Sequence, residues 1–121
     1  MSVASDLGNK GEDLAVEYLR NKGYKILFRN FQWGKNEIDI IAETDDFVVF
    51  TEVKTRGENP LDPPVNAITR EKQKSIIWAA EGYIKRYNVA KEGRFDVITI
   101  IRKGEGFEID HIEDAFYPSL R

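Results

Sequence analysis

The sequence predicts an α/β domain with the element order α-β-β-β-α-β-β, a mixed central sheet flanked by helices. Three observations carry that expectation. Apolar residues recur at helical spacing in two segments and at a spacing of two in the others. The first three extended segments are joined by turns too short for a parallel crossover, which makes them an antiparallel meander. A helix-length segment separates the third from the fourth, so that pair is expected to be parallel through a right-handed crossover.

The first helix is expected from Ser5, a suitable N-cap, through Leu7, Gly11, Leu14, Ala15, Tyr18 and Leu19 to a stop at Gly23. Tyr24 to Phe31 alternates as a first strand, and Gln32-Trp33-Gly34-Lys35 forms a turn. Asn36 to Ala42 is the second strand, and Asp45-Asp46 turns the chain into the third, Phe47 to Thr55. From Arg56 to Pro64, residues Gly57, Asn59, Pro60, Pro63 and Pro64 bar regular structure; a loop this long beside a rigid sheet often carries function. The second helix is expected from near Thr69 to near Asn88, with Gln73, Ile76, Ile77, Ala80, Ile84 and Tyr87 on one face. Arg94 to Ile101 is the fourth strand, Phe107 to Ile112 an edge strand, and Asp114 to Arg121 a short polar tail. No repeat or linker divides the chain, so residues 1–121 are expected to form one domain with an ordered core over residues 5–114.

Composition narrows the function. With 121 residues, 41% hydrophobic and 32% charged, the chain has the size of a single domain. No run approaches the ~20 apolar residues of a membrane helix. Met1 to Asp6 lacks the basic start and apolar stretch of a signal peptide, so a cytoplasmic protein with no membrane partner is expected. The absence of cysteine removes disulfides, thiolate zinc sites and cysteine nucleophiles. The single histidine, His111, rules out multi-histidine metal sites and is expected to be an exposed or pH-sensitive structural residue on the edge strand.

The informative positions are charged residues inside apolar strands. A period of two puts Glu52 and Lys54 on the face of Val48 and Phe50. It likewise puts Glu37 and Asp39 on one face of the preceding strand and Ile38 and Ile40 on the other. Four ionisable groups on adjacent strands are costly to bury without compensation. One compensation is a cross-strand ion pair of Lys54 with Asp39 or Glu37 on a face open to water. The other is a divalent-cation site: two carboxylates offer hard oxygen ligands suited to Mg²⁺, which keeps several waters and accepts a phosphate oxygen. A lysine beside them can orient the attacking water and stabilise charge on the phosphate. Asp96 is expected to anchor a loop or an ion pair rather than a metal.

Asp39 followed by Glu52-Val53-Lys54 resembles the signature of the restriction-endonuclease-like superfamily, an aspartate, a spacer and then an acidic residue two before a lysine. More specifically, the chain resembles the YraN family of small bacterial proteins. The resemblance rests on Gly8-Asn9-Lys10-Gly11-Glu12-Asp13-Leu14-Ala15, Asn36-Glu37-Ile38-Asp39-Ile40-Ile41-Ala42, Phe50-Thr51-Glu52-Val53-Lys54-Thr55-Arg56, Lys72-Gln73 and Arg94-Phe95-Asp96-Val97, and it covers nearly the whole chain. It implies a nuclease-like core similar to archaeal Holliday-junction resolvases, with metal ligands at Asp39 and Glu52 and a catalytic lysine at Lys54. Glu12 matches the first-helix glutamate that completes such sites. Its own helical position is compatible either with leaning toward the sheet or with a first-turn acid favoured by the helix dipole. Glu37 is a supporting residue, as is Gln73, which sits where related nucleases place a polar group and which a backbone-bonded core amide explains equally well. Asn36 stands where the family usually has glycine, and Ile38 replaces the proline of the superfamily's best-known motif; neither removes a ligand.

The expected function is thus a Mg²⁺- or Mn²⁺-dependent endonuclease acting on structured or branched DNA. The alternatives are a nucleic-acid-binding module with little or no catalytic activity, and a protein-interaction domain. Arg56, Arg70, Lys72 and Lys74 are candidate phosphate contacts. Paired cuts in a branched substrate would call for a homodimer, for which Trp33, Trp78 and Tyr117 are candidate contacts, although Trp78 follows Ile76-Ile77 and suits the core equally well. The net charge of −3 argues against tight non-specific binding to a polyanion. The acids are concentrated, however, in the tail and the candidate site. Because a bound cation partly neutralises its carboxylates, DNA binding is expected to depend on the metal.

Overall fold

The computed structural model describes residues 3–57 and 68–118, and side chains from Lys10 onward. The chain forms α1 (Val3–Asn21), β1 (Lys25–Trp33), β2 (Asn36–Glu43), β3 (Phe47–Arg56), α2 (Arg70–Arg86), β4 (Glu92–Lys103) and β5 (Gly106–Phe116). The five strands lie side by side in chain order. β1, β2 and β3 are antiparallel neighbours, β4 runs parallel to β3 after the α2 crossover, and β5 returns antiparallel to β4. This is the predicted α-β-β-β-α-β-β order. Most of the expected loop, residues 58–64, and the end of the tail, residues 119–121, lie outside the described residues.

The sheet is covered on both faces. One core layer joins Ile76, Ala79, Ala80 and Tyr83 of α2 to Phe31, Ile38, Ile41, Val48, Phe50, Phe95 and Val97. The other joins Ala15, Val16 and Leu19 of α1 to Ile40, Ala42, Val49, Ile98 and Ile100. Two glycines set how closely the helices approach. At Gly11 a Cβ would run into the Thr55 hydroxyl on β3, and at Gly82 into the indole of Trp33. The Arg86 guanidinium lies 4.6 Å from that same indole. Trp33 is therefore part of the α2 packing rather than a free aromatic, whereas Trp78 is 61% exposed. Among the described residues no helix is long and apolar enough to cross a membrane.

Several local expectations are corrected. α1 begins at Val3, so Ser5 lies inside the helix and is not its cap. α2 buries Ala79 and Tyr83, and Tyr87, expected on the buried face, is its exposed C-cap. Residues expected as polar tail belong to β5, because Phe116 stacks on Phe95 and anchors the strand end. Ile38 and Ile40 do not share a face: Ile38 packs under α2 and Ile40 under α1. The alternation breaks at Asp39, opposite Asn30, whose left-handed backbone (φ 53) an asparagine tolerates better than most residues. His111 is not exposed. Its side chain is only 3% accessible, and Nε2 lies 2.7 Å from Asp96 Oδ2. Asp96 anchors an ion pair, as expected, with Arg94.

Candidate functional site

The β2–β3 ladder runs only as far as Ile40 opposite Thr51. Just past that point Asp39 replaces a strand partner: the Val53 backbone amide donates to its Oδ2 at 2.8 Å. The carboxylate therefore sits at the mouth of a split between two strands, held by the amide the split has freed. Glu52 lies on the neighbouring strand, and the residue is 6% exposed. Its Oε2 is buried and has no hydrogen-bond partner among the described residues. Its Oε1 is 3.8 Å from the Lys72 ammonium, which reaches in from the first turn of α2. The Lys72 backbone is fixed by the helix cap, since its amide donates to Thr69 Oγ1 at 3.1 Å.

Electrostatics ties these groups together. Burial first, and then the neighbouring Asp39 carboxylate, push Glu52 up to about 7, against the opposing pull of Lys72 and Lys54. Burial also raises Asp39; the Val53 amide opposes it, Glu37 adds to it, and Lys72 and Lys54 again pull it down. Lys54, half-buried two residues from Glu52, thus acts electrostatically on both acids.

Glu12 arrives from the other helix. The close approach of α1 at Gly11 brings the next residue to the sheet, where burial and then Asp39 raise its pKa while Arg29 opposes them. With its amide nitrogen turned toward them, Asn30 donates to Glu12 Oε1 and Glu37 Oε1, each at 2.9 Å. Asn30 was not among the candidates from the sequence. The available signal was an asparagine in the middle of a segment otherwise suited to a strand, where that residue is disfavoured.

The structure therefore gathers Glu12, Glu37, Asp39, Glu52, Lys54 and Lys72 into one electrostatic cluster. It does not bring in the other candidates to the same degree. The Gln73 amide donates to the Ile68 carbonyl at 3.0 Å and secures the entry to α2. Arg70 and Lys74 lie on the exposed side of α2, and Arg56 ends β3 half-buried. Lys72 alone of the basic group on α2 reaches the acids.

The donor set fits a hard divalent cation. Asp39 and Glu52 supply carboxylate oxygens from neighbouring strands, and the buried Glu52 oxygen has no hydrogen-bond partner among the described residues. Among the described residues no group of three or more Asp, Glu or His side chains forms a ready metal cage. Two carboxylates are nonetheless the number by which Mg²⁺ is commonly held, with waters and phosphate completing its shell.

The sequence model described as Uncharacterised protein family UPF0102 matches residues 11–100, a span that contains every member of this cluster. A UPF0102 protein from Parabacteroides distasonis is 43% identical to this chain over the whole of both. Another, from Prosthecochloris aestuarii, is 43% identical over 95% of this chain and 96% of its own. A third, from Christiangramia forsetii, is 39% identical over 97% of this chain and 98% of its own.

Proposed function

The chain belongs to the uncharacterised protein family UPF0102, and we propose that it is a Mg²⁺- or Mn²⁺-dependent endonuclease hydrolysing phosphodiester bonds in structured or branched DNA. The observation that carries this reading is the buried, unpartnered Glu52 oxygen beside a second carboxylate. A fold that needed only an ion pair would satisfy that oxygen with a donor. Here it is kept available, at a cost in stability, for a cation.

In this reading Asp39 and Glu52 would hold the metal from adjacent strands, and Glu12 and Glu37, tied together by Asn30, would complete the acidic wall. When bound, the cation supplies charge neutralisation at the phosphate and activation of the attacking water. Lys54 projects from the same strand as Glu52, where its ammonium orients that water and stabilises the negative charge that develops on the phosphoryl oxygens.

The test is a Mn²⁺ titration followed by cleavage of a four-way DNA junction. The wild type should bind Mn²⁺ and cut the junction. Asp39→Asn should lose metal binding, and Lys54→Ala should retain it while losing cleavage by about 10²-fold or more. Cleavage that survives the loss of both Glu52 and Lys54 overturns the assignment. Salt-dependent DNA binding with no cleavage under any metal selects the binding-module alternative.

A further inference from the structure

We infer that the Lys72 ammonium stands in for the cation at Glu52, and that a divalent ion displaces it and frees it to contact a nucleic-acid phosphate. This rests on the metal-site reading above and adds to it a link between metal loading and substrate binding that runs through one side chain.

Lys72 and Glu52 are held very differently. Glu52 lies inside the sheet with its side chain 8% exposed, whereas Lys72 reaches it from the helix with its own side chain 41% exposed. The contact is an ion pair at 3.8 Å, beyond hydrogen-bonding distance, and it leaves the second Glu52 oxygen unmet. Such a contact holds charge but little geometry, so it is readily exchanged. The Lys72 backbone is pinned by the Thr69 cap, so an exchange needs only rotation of the side chain. Arg70 and Lys74 lie on the exposed side of α2 and leave Lys72 as the helix cation at this position.

Charge counting gives the direction. Before loading, the Lys54 and Lys72 ammoniums act on Asp39 and Glu52, to whose negative charge Glu37 adds. A divalent ion together with Lys54 supplies the charge these three acids need, which leaves the Lys72 ammonium in surplus. The ammonium at Glu52 then faces a cation instead of an unmet anion, and its favoured partner becomes the nearest anion outside the pair. In a complex with nucleic acid that anion is a backbone phosphate. An acidic protein would thereby gain a phosphate contact only when metal is present.

The experiment compares wild type, Lys72→Met, Lys72→Arg and Lys74→Met by calorimetric Mn²⁺ titration, with circular dichroism to confirm that each is folded. Lys72→Met keeps an unbranched side chain one atom shorter and removes its charge. It should bind Mn²⁺ about tenfold more tightly than wild type. Lys72→Arg should bind as wild type does, and Lys74→Met should be unchanged. In Mn²⁺-supplemented binding to a four-way junction with the Lys54→Ala background, wild-type Lys72 should show the larger metal-dependent gain. Equal or weaker Mn²⁺ binding by Lys72→Met overturns the inference while leaving the metal site intact. Absence of Mn²⁺ binding by all four folded proteins overturns the metal reading and the inference with it.

Discussion

Asp96 on β4 and Glu52 on β3 are both buried carboxylates, one strand apart, and the chain treats them in opposite ways. Asp96 is fully buried and saturated. Arg94 donates to it through Nε at 2.9 Å and Nη2 at 2.8 Å, the Asp114 amide donates at 3.1 Å, and His111 Nε2 lies at 2.7 Å. The network continues outward, with Arg94 Nη2 donating to Tyr24 Oη at 2.6 Å and that hydroxyl donating to Glu113 at 3.1 Å. Burial alone would raise Asp96, but the His111, Arg94 and Asp114 hydrogen bonds outweigh it and hold the carboxyl below its usual value. Glu52 has one loose ion pair and an unmet oxygen, and its pKa goes up to about 7. Burial therefore does not decide how well an acid is satisfied. The partners each oxygen finds do.

The comparison can be broken most sharply at Asp96. Asp96→Ala leaves Arg94 charged and without its main partner, and should destabilise the fold by about 3–5 kcal/mol in urea denaturation. A loss under about 1 kcal/mol would mean that the network is ornamental and the contrast false. Glu52→Gln should have the opposite sign. By removing a charge that the fold keeps buried without adequate partners, it should stabilise the protein at pH 8 by about 1–3 kcal/mol, and it should abolish Mn²⁺ binding. Destabilisation there would show that Glu52 is a structural acid like Asp96.

The pH dependence sharpens the same contrast. Glu52 has a raised folded-state pKa, so its penalty is absent below the ordinary value of 4.5, grows as pH rises to about 7, and is constant above that. Stabilities of wild type and Glu52→Gln should therefore converge in acid and separate between those limits. Asp96, with a lowered folded-state pKa, contributes stability that is full above its ordinary value of 3.8 and lost as pH falls further. A wild-type profile flat between pH 4.5 and 7 would sink the assignment of Glu52 as the strained group. The smallest effect is expected at Asn30. Asn30→Gly keeps the left-handed backbone accessible and deletes the amide that joins Glu12 to Glu37. It should cost under about 1 kcal/mol of stability while weakening Mn²⁺ binding about threefold, and unchanged binding would show that this bridge plays no part in the site.

Element order and strand direction were legible in the chain because both follow from local signals. Helical and two-residue periodicities marked the seven elements, short turns made β1 to β3 a meander, and the helix-length crossover made β4 parallel to β3. The same period placed Glu52 and Lys54 on the face of Val48 and Phe50, and charge in an apolar strand singled out Asp39. Beyond the local Arg94–Asp96 pair, tertiary structure decided which acids found partners. Arg94 and Tyr24 meet across 70 positions, and Tyr18 and His111 across 93, through strand order and helix docking that leave no mark on the intervening residues. Asn30 facing Glu12, Lys72 reaching Glu52, and the reversal of faces at Asp39 have the same origin. A side chain's periodicity is set by its own backbone, whereas the saturation of its charge depends on which distant groups the packed fold brings to it.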